Sequence, residues 1–260
     1  MGIDRGTEGT KHPVMRFPAV ALLSLTALPV FAGLLYDPAS GQLPNAYTPN
    51  PWSYGQLTSG FVAATAPTSP ISATFAGGKL AFDTTGGTVR GGWSTTGGTM
   101  DRNTGYTLSF DLQIGAESHV SNDRAGFSVI ALSSDLQGIE LGFWGNEVWA
   151  QNSSFTHGEG TTGFNPSASF VSYDLTIQGS SYALKANDST ILTGALRTYS
   201  GSPYDTANFI FFGDNTFSAQ ADVDLGAVNY APVPEPADWS VFVAASLVGF
   251  AVWRRRNKTV

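Results

Sequence analysis

YDLTIQGSSYALKANDSTILTG, residues Tyr173–Gly194, decides the fold. Apolar and polar residues alternate in Tyr-Asp-Leu-Thr-Ile, and the alternation resumes in Tyr-Ala-Leu-Lys and again in Thr-Ile-Leu-Thr. Side chains that alternate between two faces have a period of two, the period of a strand with one buried face. Gly179-Ser180-Ser181 and Asn187-Asp188 separate the three runs, and both are residue types that tolerate the tight turns of hairpins. The segment therefore predicts an antiparallel meander of three strands, followed by a fourth apolar run at Asn208–Phe212.

Working outward, the same period recurs along the middle of the chain. It marks Lys79–Asp83, Tyr106–Ile114, Ala125–Leu132, Ile139–Trp144, Glu147–Gln151 and Asp222–Tyr230. Gly86-Gly87, Gly97-Gly98, Asn103-Thr104-Gly105 and Gly213-Asp214-Asn215 punctuate them. No stretch shows a 3.6-residue amphipathic period. Many short strands at this spacing predict one all-β domain at residues 33–231, a β-sandwich of jelly-roll type. The Gly-Gly pairs follow no fixed period, which argues against a solenoid.

Composition agrees. Of 260 residues 42% are apolar and 12% aromatic, but only 13% are charged, and there is no cysteine. The domain thus holds no disulfide, thiolate metal site or thiol nucleophile. Between Gly33 and Ala231 there are six Lys or Arg against sixteen Asp or Glu. So acidic a body repels polyanions, and no nucleic-acid partner is expected.

Both ends read as targeting segments. Lys11 and Arg16 precede an apolar run from Phe17 to Phe31, and Val30-Phe31-Ala32 places small residues before a cut. This predicts a signal peptide at residues 1–32, a signal helix cleaved behind Ala32 by signal peptidase after use of the general secretion machinery, with Met15 as an alternative start. At the other end Ala237–Trp253 is uncharged except for Asp238 and meets Arg254, Arg255 and Arg256 directly. As a helix it would be about 25 Å long, a short transmembrane span for a hydrocarbon core of about 30 Å. The arginines would stay on the cytoplasmic side.

Val233-Pro234-Glu235-Pro236, the apolar run and the arginine cluster stand in that order within residues 232–260. Together they resemble the PEP-CTERM sorting signal of Gram-negative bacteria. The resemblance implies recognition of Pro234, Glu235 and Pro236 by an exosortase, transient anchorage in the inner membrane, and display or release at the cell surface or in the extracellular matrix. The Tyr173–Phe212 meander resembles the late strands of concanavalin A-like and laminin G-like jelly rolls. The whole middle resembles the choice-of-anchor class of bacterial extracellular domains, which implies surface display without assigned chemistry.

The candidate site is IELGFWGNEVWAQ, residues Ile139–Gln151. Gly145-Asn146 suits a two-residue hairpin turn, which sets Phe143 opposite Val148 and Gly142 opposite Trp149. One face then carries Leu141, Phe143, Val148 and Ala150, the core side. The other carries Glu140, Trp144, Glu147, Trp149 and Gln151. Indoles beside carboxylates and an amide suit an extracellular polysaccharide, because pyranose faces stack on aromatic rings and hydroxyls take polar partners. The competing expectation is a second face on which the tryptophans pack beneath a loop.

Hydrolysis, as in laminarinase-type enzymes, needs carboxyl groups about 5–9.5 Å apart, whereas Glu140 and Glu147 stand about 13 Å apart along the hairpin at 3.3 Å per residue. No catalytic residue is assigned: His119 and His157 lie on polar stretches, and neither a nucleophile elbow nor a phosphate loop is present. No cofactor is assigned. Asp214, Asn215, Asp222 and Asp224 could gather oxygen ligands for calcium, although their spacing matches no defined loop and turn and edge-strand carboxylates are the commoner explanation. The reading is therefore a non-catalytic, exported β-sandwich for carbohydrate binding, with a glycan-processing enzyme or a purely structural surface protein as alternatives.

Overall fold

The computed structural model describes residues 33–48, 52–57, 61–96 and 98–233. The signal segment and the sorting segment, with Pro234, Glu235, Pro236 and the three arginines, lie outside the described residues. No helix among the described residues is long and apolar enough to cross a membrane.

Sixteen strands are described, in two antiparallel sheets. The first sheet holds β1 (Gly33–Tyr36), β4 (Ser72–Ala76), β5 (Lys79–Asp83), β7 (Tyr106–His119), β12 (Val171–Gln178), β13 (Ser181–Ala186), β14 (Ser189–Ala195) and β16 (Ala219–Pro232). Their order is β14-β13-β12-β7-β16-β5-β4, with β1 also on β16. The second holds β2 (Ser53–Leu57), β3 (Phe61–Ala64), β6 (Arg90–Thr95), β8 (Ser128–Leu132), β9 (Gly138–Phe143), β10 (Val148–Gln151), β11 (His157–Gly160) and β15 (Phe209–Asp214), ordered β11-β10-β9-β8-β15-β6-β2-β3. Non-sequential neighbours such as β7 beside β12 and β16 give the crossed connectivity of a β-sandwich.

The deciding meander forms as its residues predict. Tyr173 pairs with Ala186 and Ile177 with Tyr182, and β13 pairs in turn with β14. Asn187 and Asp188 take positive φ at 46° and 66°, the conformation that their short polar side chains tolerate.

Burial distinguishes the two sheets. In β7 Tyr106, Leu108, Phe110, Leu112 and Ile114 point inward and are buried, while the residues between them are half-exposed. The first sheet therefore packs on one face only. In β8, β9 and β10 every residue is buried. The second sheet packs inward against the first through Val129, Leu141, Phe143, Val148 and Phe212, and over β8, β9 and β10 its outer face is covered as well.

Candidate functional site

The hairpin of β9 and β10 has the expected register: Phe143 pairs with Val148, Gly142 with Trp149 and Leu141 with Ala150. Leu141, Phe143, Val148 and Ala150 enter the core, and Glu140, Trp149 and Gln151 lie on the opposite, outer face. The residues predicted to share a face do so.

What fails is the openness of that face. Trp149 is 0% and Trp144 8% exposed, and Glu140 and Gln151 are 3% and 2% exposed. Three segments cover them, around 120–127, 152–157 and 196–208. Apart from Ala125–Phe127, which open the run to Leu132, none shows alternation, so none was readable as a layer. The tryptophans form a small cluster with Ala125. His119 stacks on Trp144 with ring centres 4.2 Å apart, and His157 stacks on Trp149 at 4.6 Å. Indole Nε1 of Trp144 donates to the Arg124 carbonyl at 2.8 Å, which ties the first covering segment down. Trp149 lies flat on Gly142, where a Cβ would stand 2.6 Å from its ring. Only a glycine admits the indole there.

Glu140 is held from all sides. Tyr204 Oη donates to its Oε2, and Asn215 Nδ2 donates to Oε1 at 2.7 Å. The Glu140 amide donates to Tyr199 Oη at 3.1 Å, and that hydroxyl donates to the Gln151 carbonyl at 2.7 Å. Burial raises the Glu140 carboxyl above the usual carboxylate range, against the lowering effect of Tyr204, Asn215, Ser128 and Arg124. The tyrosines belong to a second apolar cluster with Ile130, Leu132 and Phe209. Carboxyl and roof are thus one packed unit.

Glu147 is different. It is half-exposed and sits 3.4 Å from His157 Nε2, at the rim of the covered face. His119 and His157, on stretches that read as polar in the sequence, therefore contribute to the covering layer. Arg197 was not anticipated at all. It pairs with Glu159 of β11 and donates to the Gln151 carbonyl at 2.9 Å, while Tyr182 of β13 donates to Glu159 at 2.8 Å.

The four candidate calcium ligands are not brought together. Asp214 is buried at the end of β15 in the second sheet, where burial drives its carboxyl well above the ordinary range. Asn215 is committed to Glu140. Asp222 and Asp224 lie half-exposed on β16 of the first sheet, with Asp224 paired to Lys79 at 3.3 Å. Among the described residues no group of three or more His, Asp or Glu side chains is placed to hold a metal ion.

No family model matches the chain, and no curated protein matches it. Solved structures do. A carbohydrate esterase of a Shiga toxin-encoding bacteriophage aligns with a TM-score of 0.53 at 11% identity, covering 78% of this chain and 97% of that one. A Bacillus subtilis protein of unknown function with a galectin-like fold aligns at 0.47 and 9% identity, over 76% and 96% of the two chains. A Bacillus licheniformis β-glucanase aligns at 0.45 and 11% identity, over 76% and 98%. At these identities the likeness concerns the fold.

Proposed function

We propose that the chain is an exported, exosortase-sorted protein of the cell surface or extracellular matrix, whose jelly-roll sandwich, of concanavalin A-like type, is non-catalytic and engages polysaccharide. One observation supports the non-catalytic part above others: Glu140, the buried acid of the tryptophan face, has both oxygens occupied by Tyr204 and Asn215 under a tyrosine roof. A general acid or nucleophile must reach its substrate, and this carboxyl is 3% exposed at the level of the residue. The export part rests on residues 1–32 and 232–260, whose charge and apolar patterns suit a signal peptide and a PEP-CTERM signal. The carbohydrate part has a plainer basis, an acidic, cysteine-free sandwich rich in surface hydroxyls.

A glycan array probed with the full chain in mild detergent, run alongside a reducing-sugar assay on each bound glycan, tests the reading. Retention without release of reducing ends is expected. Turnover that survives Glu140→Gln and Glu147→Gln together would show chemistry elsewhere and overturn the non-catalytic reading, and an empty array would remove the carbohydrate part.

A further inference from the structure

With the tryptophan face covered, the outer face of the first sheet is open, its residues alternating between buried and exposed. We propose that a shallow trough on that face, across β7, β12, β13 and β14, seats a linear neutral polysaccharide. This goes beyond the general reading by giving the site and the charge class of the ligand.

Pairing aligns the trough. Thr107 stands opposite Thr176, Thr176 opposite Ala183, and Ala183 opposite Thr193, one residue from each of four adjacent strands. All four are partly or fully exposed, because the alternation that buries Leu175, Leu184 and Leu192 turns them outward. Around the floor made by Thr176, Ala183 and Thr193, with Gln178 and Ser181 at one side, lies an open groove of about 420 Å³. In the neighbouring row on the other side stand Asp174 and Lys185, paired across β12 and β13.

Three properties select the ligand. First, the strands are about 4.8 Å apart, comparable to the advance of one hexose unit along an extended chain, so each step across the sheet meets one further sugar. Second, the lining groups are hydroxyls and an amide, which both donate and accept and so match sugar hydroxyls without a fixed charge. Thr107 and Thr176 share a hydrogen bond at 3.0 Å, and the lone pairs and the one hydroxyl hydrogen it leaves unused are open to a sugar hydroxyl from above. Third, the surrounding carboxylates are kept on this face: Asp174 accepts from Ser109 at 2.5 Å and Asp111 from Ser172 at 2.6 Å. With a net charge of −7 overall, the face repels uronate and sulfate chains at low salt and accepts neutral ones.

The test is isothermal titration calorimetry on the full chain in mild detergent with three probes: two neutral linear glucohexaoses of different linkage and a hexauronate. Ala183→Glu fills the floor with a long, outward, solvated side chain that offers no ring to stack on, so its melting temperature should match that of the natural protein while glucohexaose affinity falls at least tenfold. Ala183→Ser, which adds one hydroxyl and little volume, should keep it. Binding of a glucohexaose with natural affinity by a folded Ala183→Glu protein would overturn the trough and leave carbohydrate binding in place, seated elsewhere. Preference for the hexauronate would overturn the charge argument. Failure of both glucohexaoses, where the array retains longer neutral glycans, would also refute a seat spanning four strands.

Discussion

Trp149 shows how a residue can be placed correctly by pattern and still be misjudged. Its face follows from alternation, but its exposure depends on whether another segment lies on top, and alternation carries no information about that. With no exposed surface and an indole resting on Gly142, Trp149→Ala should cost about 3–5 kcal/mol, read as a clear fall in the thermal midpoint. Gly142→Ala forces a methyl into the ring and should cost about 1–3 kcal/mol by overpacking. A Trp149→Ala melt equal to that of the natural protein would mean that the ring is not part of the packed layer. Two buried carboxyls give a pH dependence of known sign. Burial raises both Glu140 and Asp214 in the folded chain, so the stability linked to them is complete below the unfolded carboxylate range and is lost as pH rises through the folded values. Glu159 opposes them: burial pushes it up, but its backbone bond, Tyr182 and Arg197 hold it below the usual range, so its contribution is lost on acidification. The midpoint should therefore fall as pH rises above the unfolded carboxylate values of about 4. Asp214→Asn should flatten that fall, because its Oδ2 has no hydrogen-bond partner to lose. An unchanged slope would assign the effect to other groups.

At the scale of elements, the legible strands include half-exposed ones and fully buried ones such as β9, which Ile139–Trp144 largely covers. Lys79–Asp83 coincides with β5, and Tyr106–Ile114 lies within β7. Two of the strands not read from the sequence, β6 and β11, show why. β6 reads Arg-Gly-Gly-Trp-Ser-Thr, and its glycines hide a central strand; Gly92 is required because a Cβ there would stand 2.6 Å from both the Phe212 carbonyl oxygen and the Phe211 ring. β11, His-Gly-Glu-Gly, has no apolar residue and is a strand only through its neighbours, pairing with β10 at Trp149 and Gln151. The element that holds it is Arg197, which joins Glu159 of β11 to the end of β10 and bridges Gly138 through its backbone. The Arg197 side chain is 16% and that of Glu159 31% exposed, so removing Arg197 leaves a half-exposed carboxylate with Tyr182 as a remaining side-chain partner. Arg197→Ala should cost about 2 kcal/mol or more, given 1.5–3 kcal/mol for hydrogen bonds to charged groups, and should raise amide exchange in β11 ahead of β12 and β13. Uniform exchange across all three would deny Arg197 this local role. The site was thus half legible: the hairpin, its faces and its partners were in the sequence, and the cover, made of irregular segments with tyrosines and histidines at no period, was not.

At the scale of the molecule, the two chain ends of the sandwich lie side by side. β1 starts at Gly33, directly behind the expected cut after Ala32, and Gly33 pairs with Tyr230 of β16. β16 in turn runs to Pro232, just before the Pro-Glu-Pro motif at 234–236. Removing residues 1–32 and the segment after this motif would therefore leave every described strand intact. A cut deeper than Tyr36 would instead peel β1 from β16 and expose Tyr36, which is 1% exposed in the sandwich. The fold so sets limits on the processing that the sequence implies. Intact mass of protein recovered from a host with a working exosortase should give an N-terminus near Gly33 and a C-terminus within or just after 234–236. Its circular dichroism should remain that of a β protein and be unchanged by reductant, since the chain has no cysteine to reduce. Retention of Arg254, Arg255 and Arg256 in the mature species would rule out sorting by this route. A start beyond Tyr36 with an unaltered melt would show that β1 contributes nothing to the sandwich.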